Sequence, residues 1–491
     1  MKDKKETNKS VLRSTTKDEQ QNTKISRRDF MGAAAAVAAF TIVPRHVLGG
    51  PGRNPPSERL NIAGIGVGGR GSGDLEAVSS ENIVALCDVD ADRAKATFKK
   101  YSRAKRYKDF HKMLEKEDKN IDAVVIATPD HVHAVAAITA MKMGKHIYCE
   151  KPMAHTIYEA REMTRVACET GVVTQMGNQG HGGEGLRLTY EFIHDGAIGK
   201  VHEVHVWSDR AGLRPNGTLW WPQGVDRPKD TPPVPQSLDW DLWLGPAPWR
   251  PYHSAYVPFA WRGWFDFGSG AMGDMAVHNA DPAFFCLDLD APTAVEAESS
   301  PVNNETFPKW SIITYYFPAK GSLPAEPSLT KDESATRYSG QAGRPPVKLV
   351  WYDGGKLPPR PPELEEERKL GSNGILFVGD KGKLLGPSHA GAPRLIPESK
   401  MKEYGRPPKV LPRSTGHHQE WVQACKDNKP KDAKAGFWYS GPFMEALLVG
   451  NLAVRLGRSV EWDAEKMRSP NAPEADNYIT KFYRAGWNLA I

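Results

Sequence analysis

Leu60-Asn-Ile-Ala-Gly-Ile65 runs straight into Gly66-Val-Gly68-Gly69-Arg70-Gly71, and Ile83-Val-Ala-Leu-Cys87 then ends on Asp88. The outer two runs are short apolar strand candidates. The middle one is a G-x-G-x-x-G turn that can open a helix. Asp88 lies 22 residues after Gly66. Only a bare backbone bends that sharply and lets a pyrophosphate approach. The helix start beyond it offers free N–H groups and a favourable dipole. A carboxylate at the end of the second strand can accept hydrogen bonds from both hydroxyls of an adenosine ribose. Strand, glycine turn, helix start and acid at this spacing predict a Rossmann unit that binds a dinucleotide. Asp88 favours NAD, because a 2′-phosphate would sit against its charge. Arg93 is near enough in sequence to keep NADP open.

Outward from this unit, apolar strand candidates at 121–127, 145–149 and 172–176 alternate with helix candidates at 92–101, 134–143 and 156–170. Such alternation predicts an α/β fold whose N-terminal domain, 58–180, is a doubly wound parallel sheet. The pattern then changes. A helix at 185–195 precedes Val201-His-Glu-Val-His-Val-Trp207, which alternates like a strand with one wet face. Further strands at 310–317, 347–352 and 375–378 suit an open antiparallel sheet, and helices return at 418–426 and 442–456. Residues 212–260, rich in Pro, Trp and Gly, read as a long ordered insertion. Residues 318–346 and 353–370 read as surface loops. An α+β second domain is therefore expected over 181–465, with a C-terminal extension at 466–491.

At 491 residues two domains are the starting expectation, and 25% charged residues suit a soluble globular chain. The net charge of +6 is concentrated at one end: residues 1–50 hold ten Lys/Arg and five Asp/Glu. No basic footprint for nucleic acid is left in the rest. Within 1–50, Ser26-Arg27-Arg28-Asp29-Phe30-Met31 precedes an alanine-rich apolar run to Val43. This resembles a twin-arginine export signal, which implies passage through that translocase to the periplasm. The apolar run is too short for a stable membrane anchor. Cleavage is expected near 48–50. The five cysteines, Cys87, Cys149, Cys168, Cys286 and Cys425, show no metal-ligand spacing and imply no disulfide framework.

Three further motifs carry chemistry. Thr128-Pro129-Asp-His-Val-His133 follows a parallel strand, at the sheet end where cofactors lie. His133 there suits a structural or cofactor-packing role. Glu150-Lys151-Pro152 again follows a strand end. A lysine held against sheet and cofactor can donate to a substrate oxygen, and its charge favours the ionised form of a neighbouring base. In Gly273-Asp274-Met-Ala-Val-His278, acid and imidazole four apart share one face of a helix. Histidine is the natural base for an alcohol proton near neutral pH, and the aspartate can orient it. A core-satisfied pair is the bland alternative. Only two residues have ligand spacing, so no metal is expected.

The glycine turn, Thr128-Pro129, Glu150-Lys151-Pro152 and Asp274-x-x-x-His278 together resemble the Gfo/Idh/MocA oxidoreductases over roughly 58–465. The resemblance implies a Rossmann domain followed by a domain with a large, mostly antiparallel sheet that commonly supports homo-oligomers. It also implies that Lys151, Asp274 and His278 frame the substrate over the nicotinamide. Which of His278 and Lys151 is the proximal base stays open. The insertion at 212–260 is longer than in small inositol dehydrogenases. Its aromatic runs, with Trp221, Trp261, Arg262 and Trp264, offer faces for sugar C–H groups and donors for hydroxyls; Asn178 and His181 could add polar contacts. Core packing is the competing use for any single tryptophan. An NAD(P)-dependent oxidoreductase acting on a sugar or sugar derivative follows. Two rivals stand beside it: a redox-assisted glycosidase or glycoside 3-dehydrogenase with His181 as further acid/base, and a non-catalytic, cofactor-bearing sugar-binding protein.

Overall fold

The computed structural model describes residues 58–214, 216–320 and 343–489. The export signal expected within 1–50 and most of the loop expected at 318–346 lie outside these residues. Among the described residues no helix is long and apolar enough to cross a membrane.

Strand β1 (Asn61–Ile65), helix α1 (Arg70–Ala77), β2 (Asn82–Cys87), α2 (Ala91–Lys100), β3 (Lys105–Tyr107), α3 (Phe110–Glu117), β4 (Ala123–Ile126), α4 (Asp130–Lys142), β5 (His146–Glu150), α5 (Ile157–Thr170) and β6 (Thr174–Gly177) follow in turn. The six strands form one sheet in the order β3-β2-β1-β4-β5-β6, every neighbour parallel. Helices cover both faces, which is why β4 is buried at every position. The order reverses between β1 and β4, and the crevice this leaves lies beyond the carboxyl ends of the strands. Local signals fix the helices. Thr156 and Glu159 form a reciprocal capping box on α5, and Gly171 ends it with φ 66°. Alanines let α4 pack closely, so it is buried on all sides.

The second sheet follows helix α6 (Glu184–His194). Its strands are β7 (Val201–Trp207), β8 (Ala294–Ser299), β9 (Ser311–Phe317), β10 (Val347–Tyr352), β11 (Gly374–Gly379), β12 (Lys383–Pro387), β13 (Arg394–Ile396) and β14 (Val460–Glu461). The order is β13-β12-β11-β7-β10-β9-β8-β14, and only β7 with β10 is parallel. The helix expected at 442–456 begins earlier, at Phe437. Its first free N–H, from Phe437, is taken by Thr174 Oγ1 of β6 at 2.9 Å, so Pro442 sits inside the helix instead of starting it. This helix packs on α5 and β6 and also on β8 and β9, and so joins the two sheets. Arg161 Nε donates to its Glu445 at 2.8 Å, and Tyr315 Oη donates to its Leu447 carbonyl at 2.8 Å.

Residues 212–260 hold almost no regular structure beyond a short helix, Trp240–Leu244. Stacked Trp240 and Trp243, 4.8 Å between ring centres, pack with Tyr256, Trp264 and Phe267 to make a small core of their own. The segment is tied to the end of β2: Asp239 N donates to Val89 O at 2.9 Å, and Ala91 N to Ser237 O at 3.0 Å. The C-terminal residues return to the first sheet. Lys481 Nζ donates to His131 O at 2.9 Å and meets Glu159 at 2.6 Å, while Arg484 Nε donates to Gly245 O at 2.9 Å. Cys87, Cys149, Cys286 and Cys425 are buried free thiols, and Cys168 is exposed.

Candidate active site

The carboxyl ends of β1, β2, β4 and β5 open into one cleft of about 600 Å³. At the end of β1, Gly66 has φ +78°, and a Cβ there would stand 2.7 Å from the Ala127 carbonyl. A Cβ on Gly71 would run into the Gly66 carbonyl, so bare backbone is what lets α1 start this close to the strand. Asp88 closes the loop from β2: one carboxylate oxygen accepts from Gly68 N and the other from Asp90 N, each at 2.9 Å. Burial raises its pKa and these backbone donors oppose that. Thr128 Oγ1 is buried at the end of β4 without a partner. A bare glycine cradle, a helix start, a carboxylate and an unspent hydroxyl on one cleft fit a dinucleotide. Gly66, Gly68, Gly69 and Arg70 would take its phosphates, Asp88 its ribose, and Thr128 and Pro129 would lie on its path towards Lys151.

The reacting end is built from both lobes. Lys151, just past β5, donates from Nζ to Asp274 Oδ1 at 2.7 Å and to the Asp274 carbonyl at 2.9 Å. Arg262 Nε reaches the same Oδ1 at 3.0 Å, and Arg210 Nε lies 3.6 Å from the other oxygen. Burial would raise the Asp274 pKa, but Lys151, Arg262 and Arg210 outweigh it and hold the carboxyl well below the usual range. Asp274 sits in a π-helical turn, Met272–Ala276, a widened helical segment of the kind frequent at functional sites. His278 follows on the next turn and lines the same cleft, with Nδ1 unpartnered. Burial, and then Lys151, push its pKa well below 6.5, so the imidazole is neutral. Glu150 accepts from Arg70 Nε at 3.1 Å and from Gln179 Nε2 at 2.6 Å, and burial raises its carboxyl. A neutral imidazole beside a carboxylate-held ammonium can take a proton from a hydroxyl whose oxygen the ammonium binds.

Trp261 and Arg262 line the cleft with these groups. Six other expected site residues do not: Gly71 is buried in the turn beneath the lining, and five side chains lie elsewhere. His133 lies behind the strand ends, where its ring nitrogens meet Pro152 O at 2.7 Å and Thr128 O at 2.9 Å. Burial lowers its pKa to about 4, so the neutral ring donates to one of these carbonyls and packs against the other, wedged between the two motif loops. Trp264 is 1% exposed and donates to Ala255 O at 2.9 Å within the insertion's core. Trp221 is 2% exposed, and its neighbour Trp220 takes the cleft-facing place under the Arg210 guanidinium, 3.6 Å from the ring centre. Asn178 is buried away from the lining, and its amide has no partner. His181 is buried and bound by Asp281 at 3.0 Å, which also accepts from Tyr439 Oη at 2.7 Å. Core packing thus uses Trp221 and Trp264, and buried partners use His133 and His181. Sequence inspection missed Arg210, Trp243, His389 and Trp487, all of which line the cleft, and of the pair Trp220-Trp221 it favoured the wrong ring. None belongs to a motif. Arg210 flanks the aromatic insertion and Trp243 lies within it, whereas His389 and Trp487 stand in segments with no pattern.

Residues 60–178 match the oxidoreductase-family model for its NAD-binding Rossmann fold, and residues 192–344 match the same family's C-terminal α/β domain, together more than half of the chain. The chain is similar to the inositol 2-dehydrogenase of Salmonella typhimurium, 32% identical over 29% of this chain and 43% of that protein. It is also similar to the 1,5-anhydro-D-fructose reductase of Ensifer adhaerens, 25% identical over 46% of this chain and 55% of that protein. It thus spans about half the length of these curated relatives. In fold it is similar to the WlbA dehydrogenase of Bordetella pertussis, solved in complex with NADH and UDP-GlcNAcA, with a TM-score of 0.52 at 17% identity over 82% of this chain and 97% of that one. With an NAD-binding Rossmann sheet, a large mostly antiparallel sheet and the Glu150-Lys151-Pro152 and Asp274/His278 motifs meeting between them, the chain belongs to the Gfo/Idh/MocA oxidoreductase family.

Proposed function

We propose that this protein is an exported NAD-dependent dehydrogenase acting on a secondary hydroxyl of a sugar or sugar derivative. The observation that carries this is the Lys151–Asp274 pair at 2.7 Å, in the cleft that also holds His278 and the glycine cradle. Bound NAD supplies the hydride acceptor. His278, neutral through burial, takes the hydroxyl proton at its cleft-facing nitrogen. Lys151 donates to the substrate oxygen, and its charge stabilises the alkoxide as it develops. Asp274 holds the ammonium in place, and Arg262 and Arg210 hold Asp274. Arg262 on the rings of Trp261 and Phe259, with Arg210 on Trp220, gives a sugar both stacking faces and donors. The glycosidase alternative calls for a further acid/base such as His181, and that imidazole is buried outside the cleft.

Export rests on Ser26-Arg27-Arg28-Asp29-Phe30-Met31, and self-association through the large sheet belongs to the same proposal. The test is to purify the protein from its native compartment, identify the nucleotide it carries, and screen polyols and glycosides for NADH formation. NAD with polyol-dependent NADH formation is the expected result. Release of an aglycone without net NADH formation would select the glycosidase chemistry, and the absence of any nucleotide would overturn the proposal.

A further inference from the structure

The loop between β12 and β13 carries His389, flanked by Ser388 and Ala390, into the cleft, where no motif prepares for it. His389 and Ala390 have φ of 58° and 51°, so two successive residues with side chains hold the left-handed region. Such backbone persists only where surroundings enforce it, and it gathers at functional sites. Here the enforcement is visible. A Cβ on Gly180 would strike the His389 carbonyl, and one on Gly185 would strike the Ala390 carbonyl. Glycines at both places let the loop seat against bare backbone.

The hydrogen bonds then fix a tautomer. Asn279 Nδ2 donates to the Trp207 carbonyl at 2.9 Å, which leaves Asn279 Oδ1 as an acceptor. That oxygen accepts from Ser388 Oγ at 2.8 Å and from His389 N at 3.1 Å. The single Ser388 proton is thereby spent. The 2.6 Å contact between Ser388 Oγ and His389 Nδ1 must therefore use a proton on the imidazole. With Nδ1 protonated, Nε2 carries the lone pair. The ring stacks on His278, 4.3 Å between centres with 27° between planes, and both line the cleft. Burial, and then Lys151, lower the His389 pKa as well, so two neutral imidazoles stand side by side in the cleft, one a tautomer-locked acceptor. Asn279 is the residue next to His278, so the lock and the base share one helical turn.

We propose that His389 Nε2 accepts a hydrogen bond from a second substrate hydroxyl, on the carbon adjacent to the one whose proton His278 takes, so that this site selects vicinal diols. Ser388 and Asn279 are positioning residues for that acceptor. The proposal rests on the dehydrogenase function given above, and its test keeps the two apart. Diethyl pyrocarbonate modifies accessible, unprotonated imidazoles, and the tryptic peptide 384–394 contains His389 as its only histidine. With NADH bound, cis-cyclohexane-1,2-diol should slow labelling of His389 roughly tenfold while cyclohexanol at the same concentration does not. Equal shielding by both, or by neither, overturns the proposal.

His389→Asn keeps a residue that tolerates the left-handed region and removes the reach of Nε2. It should lower the ratio of kcat/KM for vicinal polyols over monoalcohols by roughly tenfold, the size of one hydrogen bond. Ser388→Ala should lower the same ratio less, and Ser388→Thr should restore it. An unchanged ratio in His389→Asn sinks the idea. If no polyol yields NADH while the diol still shields His389, the dehydrogenase function falls and the diol site stands. If polyols are turned over without shielding, the dehydrogenase function stands and the diol site falls.

Discussion

The two halves of the cleft are built in opposite ways. The half proposed for the nucleotide comes from successive strand ends. Gly66–Gly71, Asp88, Thr128-Pro129 and Glu150-Lys151 occur in chain order, each directly after a parallel strand. The half proposed for substrate is gathered from far apart: Arg210 and Trp220 before the insertion's core, Arg262 within it, Asp274 and His278 after it, and His389 from a distant hairpin. Where geometry is local, a short pattern encodes it. Where it is assembled by tertiary packing, no pattern survives in the chain. The junction of the halves is the Lys151–Asp274 bond, and the largest effect is expected there. Lys151→Ala should leave NAD binding near wild type and lower kcat/KM by ~10²- to 10⁴-fold, the range for a lost proton-transfer or charge-stabilising partner. Steady-state assays beside NADH fluorescence titration measure both. A variant that reduces its cofactor at the wild-type rate breaks the proposed division of labour.

The next contrast lies between adjacent tryptophans. Trp221 is buried and Trp220 faces the cleft under Arg210. Trp221→Ala should lower stability by about 3–5 kcal/mol, seen as an earlier denaturation midpoint with KM little moved. Trp220→Ala should raise KM and leave the midpoint nearly in place. Reversed outcomes would exchange their roles. The pair also shows what the sequence could not deliver. Indoles serve cores and sugar faces equally well, and Trp220-Trp221 gives no local sign of which is which. Trp264 fell to the core in the same way, and His133 became a wedge because two carbonyls happen to converge on it. The parallel strands were legible because burial on both faces makes them apolar throughout. The short strands Lys105–Tyr107 and Arg394–Ile396 were not, since three charged or mixed residues at a sheet edge carry no periodicity. The helix start at Phe437 was hidden because its partner, Thr174, lies 263 residues away.

Asp88→Ala tests the local half alone. It removes one carboxylate that would hold the ribose, so NAD should bind more weakly by about 1.5–3 kcal/mol, with the preference moving away from NAD. Titration with both nucleotides reads this directly, and an unaltered preference would mean Arg93 decides instead. The pH profile tests the other half. The proposed base, His278, can act only when neutral, and burial with Lys151 nearby depresses its pKa. As pH falls through the ordinary histidine value of 6.5 it stays neutral, so kcat/KM should hold there and decline only at lower pH. A decline centred at the ordinary value would show that another group carries the proton.

The smallest expected effect asks whether the nucleotide half is as local as it looks. Trp487 comes from the far end of the chain, yet it lines the cleft beside Lys108 and Phe110, with its ring centre 5.1 Å from that of His111. Its segment is anchored by Arg484 on Gly245 and by Lys481 on Glu159 and His131. The insertion's Leu238, Leu242 and Trp243 line the same stretch. Two late segments therefore roof the nucleotide end of a motif-built floor. A packed aromatic is worth about 0.5–1.5 kcal/mol beyond its area. Trp487→Ala should accordingly weaken NAD severalfold, chiefly through faster release, with kcat held. Lys481→Ala should do the same at one remove by loosening the segment that carries Trp487. Stopped-flow displacement of NADH separates release from binding. If neither variant changes the release rate, the roof serves stability alone, and the nucleotide half is as local as its sequence motif.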